Sequence, residues 1–258
     1  MKYRYNYIVP YQDVDATRRL RLYTMENYLL NVAGKVADEM GIGIPMLLPM
    51  NYTWIITHMN MEMLYLPKHG EEMVIETWIE RNAHMLSVRD FRIYIKESAS
   101  DNQELRLIGC AKTVWAVLDL TSREIVNIFD HEMFDGSVDG EVLNMARAPR
   151  LRPILLDDIE NEGGVAGEVL HEIQYSDVDY NRHCNSCKYL EWMVNAQQAY
   201  DNQKPFRLDI NYVKELYQGD KMWTRFLKTS DAVQYQQVDE NGTTCCSAKI
   251  SQIENVSC

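Results

Sequence analysis

Eleven residues near the start of the chain, Tyr11–Arg21 (YQDVDATRRLR), return as Tyr175–Asn185 (YSDVDYNRHCN), an offset of 164 residues from Tyr11 to Tyr175. Tyr, Asp, Val, Asp and Arg recur in register. A second pair of segments, Gly70-Glu71-Glu72-Met73 and Gly219-Asp220-Lys221-Met222, matches at an offset of 149 from Gly70 to Gly219. Two motifs repeated in the same order restrict the chain to two similar modules. The change of offset gives the first module 15 more residues between motif and turn. Their expected place is Met40–Thr53, after the first helix.

Local patterning says what each module contains. Residues 3–11 alternate Tyr, Ile and Pro with polar residues, as a strand does. From Thr24, residues Met25, Leu29, Val32, Val36 and Met40 fall on one face at helical spacing, and Gly41, Gly43 and Pro45 end the run. Strand-like runs follow at Trp54–Leu66, Glu72–Glu80, Leu86–Ile95 and Leu105–Leu118, with turns at Pro67–Gly70 and Asp101–Gln103. The second half repeats the order: a strand at Glu168–Tyr175, a helix over Cys187–Tyr200, then strands at Arg207–Leu216, Lys221–Lys228, Ala232–Val238 and Thr243–Gln252. A long helix wrapped by a curved antiparallel sheet is the hotdog arrangement. The expected fold class is therefore α+β, with two tandem hotdog modules joined edge to edge into one continuous sheet, since neither half covers its own sheet edge. The expected boundaries are 1–130, a connector at 131–165, and 166–258.

Net charge is −12, which argues against broad contact with nucleic acid or an anionic membrane. No apolar run approaches the roughly 20 residues of a membrane span. The N-terminus reads as a strand and has no apolar signal core. Six Cys at irregular spacing do not form a secreted disulfide framework, so a reducing, cytoplasmic setting is expected.

The two copies of the motif differ where chemistry is possible. Asp179, Asn181 and His183 alternate just before the second helix, so their side chains can converge on one side. The first copy keeps the Asp (Asp15) but has Thr17 and Arg19 in place of the Asn and His. A purely structural role would require all three in both copies. The Asp is therefore at least partly structural, while Asn181 and His183 belong to one copy's function. His183 is the natural titrating group near neutral pH. Backbone N–H groups near Cys184 and Asn185, at the helix start, are expected to polarise a carbonyl oxygen. Glu215 ends an apolar strand pattern and stands where the first half has Leu66; it is either an exposed strand end or a base or water-orienting group working with His183. Cys184 and Cys187 form CNSC, a redox pair or half a zinc site by spacing alone. No second pair completes a metal set, so neither metal nor cofactor is expected.

The run SDVDYNRHCNSCKYLEW resembles the D-x-N-x-H-x-N-[small]-x-x-Y-[apolar]-x-W segment of acyl-acyl-carrier-protein thioesterases, and YQDVDATRRLRL and PKHGEEMVIETW resemble their N-terminal domain. The resemblance spans nearly the whole chain. It implies hydrolysis of fatty acyl-carrier thioesters by Asp179, Asn181, His183 and Glu215, the last in NYVKEL. Many plant members carry a Cys after that Glu. Leu216 stands there, which implies attack by water rather than by a thiol. The Asn-Asn pair after the His is Asn185-Ser186, a further departure. The plastid-targeting extension of plant members is absent, so a bacterial-type member is expected. An acyl chain requires an apolar sleeve, for which Trp54, Ile56, Met59, Met61 and Met63 are candidates. The partner implied is acyl carrier protein, which is acidic. Arg18, Arg19 and Arg21 are the candidate docking patch, and the resemblance leaves room for a homodimer. A coenzyme A thioesterase and a non-catalytic acyl-binding protein on the same fold are the alternatives.

Overall fold

Alternation and helical periodicity settle into a strand, a helix and an antiparallel meander, twice over. The structure is a computed structural model. It describes residues 1–83, 85–97, 104–127, 138, 140–146, 148–154, 165–198 and 200–258. The turn expected at Asp101–Gln103 and most of the connector at 131–165 lie outside the described residues.

In the first half, β1 (Tyr3–Ile8) leads into α1 (Leu22–Glu39). The buried face of α1 is Leu22, Met25, Glu26, Leu29, Val32, Ala33, Val36 and Ala37, an apolar stripe at helical spacing broken by one acid. Gly41, at φ 72°, terminates it in the left-handed region that suits glycine. A short helix α2 (Ile44–Leu47) precedes β2 (Tyr52–Met63), β3 (Glu72–Ala83), β4 (Leu86–Glu97), β5 (Glu104–Asp119) and a two-residue β6 (Ile125–Val126). The second half consists of β7 (Val165–Glu172), α3 (Ser186–Ala196), β8 (Phe206–Tyr212), β9 (Lys221–Lys228), β10 (Ala232–Asp239) and β11 (Thr244–Gln252).

All the strands belong to one sheet, in the order β1-β3-β4-β5-β2-β8-β11-β10-β9-β7, with β6 on β5. Each half has the order of the other in mirror image. They meet where β2 pairs antiparallel with β8, from His58↔Asn211 to Met63↔Phe206. Both helices lie against the same face of this sheet, and one apolar core runs across the seam, including Leu29 and Val32 of α1, Met59 of β2, Leu208 of β8 and Leu190 of α3. Among the described residues no helix is long and apolar enough to cross a membrane.

Three sequence expectations change. The extra length of the first half is not one insertion after the helix. It is spread over a longer helix (18 residues against 11), a longer strand (12 against 7) and a slightly longer connection. The strand expected to reach Leu216 stops at Tyr212, because the N–H groups of Val213 and Lys214 both donate to the Cys245 carbonyl (2.8 and 3.0 Å), which ends the ladder. Glu215 thus sits in a loop. Finally, not all the cysteines are reduced. Cys110 and Cys258 form a disulfide on the outer face, with Cα atoms 5.8 Å apart, beside buried Trp78, Leu143 and Met145.

The acid on the buried face of α1 has a measurable consequence. Glu26 is fully buried and accepts a hydrogen bond from the Tyr212 hydroxyl, while its Oε2 has no partner. Burial pushes its pKa up to about 7. A carboxyl whose pKa is raised on folding opposes folding above its unfolded pKa, near 4.5, and the penalty grows until the pH passes the folded value. Glu26→Gln keeps the Tyr212 bond and removes that penalty. Its gain in melting temperature over the parent should be larger at pH 8 than at pH 5; an equal gain at both pH values would contradict a buried, proton-linked Glu26.

Candidate active site

The repeated motif folds into the same loop in both halves. In the second, Asp179 Oδ1 accepts the backbone N–H groups of Asn181 (2.8 Å) and His183 (3.2 Å), and the Asp179 N–H donates to the His183 carbonyl (2.8 Å). Arg182 takes a left-handed conformation at φ 65° to close the turn. In the first, Asp15 Oδ1 accepts from Thr17 (2.8 Å) and Arg19 (3.3 Å), and Arg18 has φ 64°. The Asp is thus the loop's organiser in each copy, and it fixes the direction of the side chains at the two alternating positions.

Those side chains then diverge. In the first half the Arg19 guanidinium donates to the Leu66 carbonyl (2.7 Å) and lies over the Tyr65 ring, 5.4 Å from its centroid. In the second, the smaller imidazole of His183 leaves room for Glu215. His183 Nδ1 lies 3.4 Å from Glu215 Oε1, and Tyr217 meets the ring edge-on at 5.1 Å between centroids. Asp179, Asn181, His183 and Glu215 all line one cavity of about 1180 Å³. The convergence expected from the sequence is therefore present.

The expected backbone donors are mostly taken. The Cys184 N–H donates to the Leu216 carbonyl (2.7 Å), that of Asn185 to the Asp177 carbonyl (2.8 Å), and the Asn185 side chain caps the Cys187 N–H (3.0 Å). Of the first turn of α3, the Ser186 N–H remains, at the cavity wall beside Asn181. Asn181 and Ser186 both line the cavity and are candidate donors to a substrate oxygen.

One residue escaped the sequence reading. Arg123 belongs to the first half, in the turn after β5, and its guanidinium pairs with Glu215 Oε2. The turn is braced: Asp119 Oδ1 accepts from Thr121 (2.7 Å) and Ser122 (3.0 Å), the Asn51 amide donates to the Thr121 hydroxyl (2.8 Å), and Arg123 has φ 61°. No local pattern marks it, because its partner is 92 positions away. The carboxylate of Glu215 is thereby held at both oxygens, by an arginine from one half and a histidine from the other. Burial lowers the pKa of His183; Asp179 acts against this and Arg123 reinforces it. Burial and Arg123 together thus favour the neutral imidazole.

Of the candidate sleeve residues, Trp54 and Ile56 line the cavity, with Leu30 and Ala33 of α1 and Trp115 of β5. Met59, Met61 and Met63 do not. They are fully buried in the central core, since β2 bulges at Thr57 and the strand beyond it runs under the helices. Cys184 and Cys187 are free, buried thiols whose pKa values burial raises, the opposite of an activated redox cysteine. No cluster of metal-ligating side chains occurs among the described residues.

Two family models account for most of the chain: the acyl-ACP thioesterase N-terminal domain over residues 1–135 and the acyl-ACP thioesterase C-terminal domain over residues 166–254. The chain belongs to the acyl-ACP thioesterase family. A family member from Bacteroides thetaiotaomicron, an acyl-ACP thioesterase, superposes with a TM-score of 0.79 at 24% identity, covering 97% of each chain. The 12:0-ACP thioesterase from Umbellularia californica does so at 0.74 and 14% identity, covering 98% of each. These likenesses establish the shared hotdog fold. Among curated relatives, the chloroplastic palmitoyl-acyl carrier protein thioesterase of Arabidopsis thaliana is 21% identical over 228 residues, 83% of this chain and 52% of the relative. The oleoyl-acyl carrier protein thioesterase of Coriandrum sativum is 21% identical over 211 residues, 76% of this chain and 54% of the relative. The chain spans about half the length of these curated relatives.

The acid limb of a rate profile governed by His183 should fall below the usual histidine value, about 6.5. Arg123→Gln removes a charge that disfavours the imidazolium, so this limb should move to higher pH. An unshifted limb would separate Arg123 from the titration of His183.

Proposed function

We propose that this protein hydrolyses the thioester of a fatty acyl-acyl carrier protein, releasing free fatty acid and carrier thiol. The observation that carries the reading is the His183–Glu215 pair, 3.4 Å apart, on the wall of a large cavity with an apolar sleeve, in a chain of this family.

The geometry favours a division of labour. A carboxylate bound to a guanidinium is a poor base, whereas a neutral imidazole is a good one at pH 7. Glu215 orients His183 through Nδ1, which leaves Nε2 to take a proton from water, the logic of a base held by a third group. Hydroxide adds to the thioester carbonyl. The Asn181 amide and the Ser186 N–H hold the oxygen as it gains charge. The intermediate collapses by breaking its C–S bond, and the imidazolium returns its proton to the departing thiolate. Asp179 acts through the loop it organises rather than on the substrate.

The carrier-docking reading narrows. The Arg19 guanidinium is spent on the Leu66 carbonyl, and Arg21 donates to the Gln12 carbonyl (2.6 Å), while Arg18 is exposed. Arg18 is therefore the residue of this patch to test for attraction to an acidic carrier, with Arg21 second.

Thiol release from carrier thioesters of graded chain length, with coenzyme A thioesters alongside, tests the proposal. His183→Ala should lower kcat by about 10²–10⁴-fold, and Asn181→Ala by about 10²–10³-fold. Arg18→Glu should raise KM for the carrier thioester and leave kcat unchanged. Parental turnover in His183→Ala would remove His183 from the mechanism; absence of thiol release from every substrate would reject the activity.

A further inference from the structure

The cavity contains a charge that a plain hydrocarbon chain does not need. Arg89 of β4 lies on its wall, in electrostatic contact with Tyr3 and Tyr5 of β1. It is only 5% exposed, its Nη1 is buried without a hydrogen-bond partner, and it has no ion pair among the described residues. Its neighbours along β4 show that this is not a crowded polar surface. Phe91 and Ile93, which share its face, pack into the core under α1. Asp90 and Arg92 point the other way, where Lys112 lies 3.5 Å from Asp90 and Glu141 lies 2.6 Å from Arg92. The outer face of β4 is thus ion-paired, while the inner face carries one unpaired guanidinium. Burial pushes its pKa down to about 10, so it remains charged at pH 7.

An unpaired buried cation is strongly unfavourable. If the cavity received only methylenes, replacing Arg89 by an apolar residue would improve both the fold and the fit. Its position says which part of a substrate reaches it. Arg89 pairs across the sheet with Thr113 of β5, Thr113 with Met59 of β2, and Met59 with Ile210 of β8, the strand that leads to Glu215. Three strand spacings separate Arg89 from β8, roughly 14 Å. A thioester carbonyl at Asn181 and His183 leaves its acyl chain to cross this distance, along Ile56 and Trp115. The group that meets Arg89 is then at the far end of the acyl chain. A guanidinium fork matches a carboxylate at both oxygens.

We infer that Arg89 is a binding residue for an anionic chain end, and that the cavity takes acyl chains carrying a terminal carboxylate, the thioesters of α,ω-dicarboxylic acids. This rests on the thioesterase reading for its kinetics, but the anion site itself does not.

The experiment has two arms. In the first, carrier thioesters of matched length ending in carboxylate or methyl are compared in the parent and in Arg89→Met. The ratio of kcat/KM for carboxylate over methyl ends should fall at least tenfold in the variant, through loss on the carboxylate substrate. Arg89→Lys, which keeps the charge without the fork, should fall between, and serves if Arg89→Met does not fold. In the second arm, thermal unfolding is followed without catalysis. A long-chain α,ω-dicarboxylic acid should raise the melting temperature of the parent and not of Arg89→Met, and the diol of the same length should do neither. An unchanged substrate ratio, or equal stabilisation by inorganic phosphate, overturns the inference. Stabilisation by the dicarboxylic acid with no hydrolysis of any thioester upholds the anion site and rejects the proposed activity.

Discussion

The pairing of β2 with β8 is the constraint on which the rest depends. It joins two edge strands that would otherwise leave their backbone groups open. On the outer face it is fastened by polar side chains. Across the seam the Asn60 amide donates to Asp209 (2.5 Å) and Arg207 pairs with Glu62 (2.7 Å), with Arg207 held in place by Asp209 of its own strand (2.8 Å). On the inner face Met59, Met61, Leu208 and Ile210 merge the two cores. The mixture matters: buried ion pairs add less to stability than to register, while the apolar rows supply the burial. A slip of one residue would turn both sets to the wrong face.

That register explains why the candidate site is shared. The turn that carries Arg123 follows β5, the strand beside β2, and Glu215 follows β8, on the other side of β2. Pairing β2 with β8 brings turn and loop together. The first half therefore does more than wall the cavity. It supplies the cation that holds the second half's carboxylate, and with it the charge that helps keep His183 neutral. The two motif loops show what duplication allowed. Both retain the Asp-centred turn, because the backbone needs it. Only one retains a ring small enough to leave space for an acid, while the other fills that space with Arg19.

Much of this architecture was legible in the chain because it is local. The stripe of α1 and the alternation of β1 follow from periods of 3.6 and 2 that any reader of the residues can count. The convergence of Asn181, His183 and Glu215 was legible for another reason: the repeat made each residue conspicuous against its counterpart. Where the reading failed, the cause was non-local. The methionines of β2 have the composition of a sleeve, but a bulge at Thr57 and the helices above decide which face of the strand meets the cavity. The N–H groups of Cys184 and Asn185 look free at a helix start, yet Leu216 and Asp177 occupy them.

The sequence by itself determined the two-module plan, the helix and strand content, and the identity of the histidine, asparagine and acid that could do chemistry, since these depend on spacing and on comparison between copies. Tertiary structure alone decided which side chains face the cavity, which donors stay free, and that Arg123, Arg89, Cys110 and Cys258 have the surroundings they do. Those outcomes depend on strand register and on contacts between residues far apart in the chain, and charge and hydrogen bonding act through distance in space, which the order of residues does not record.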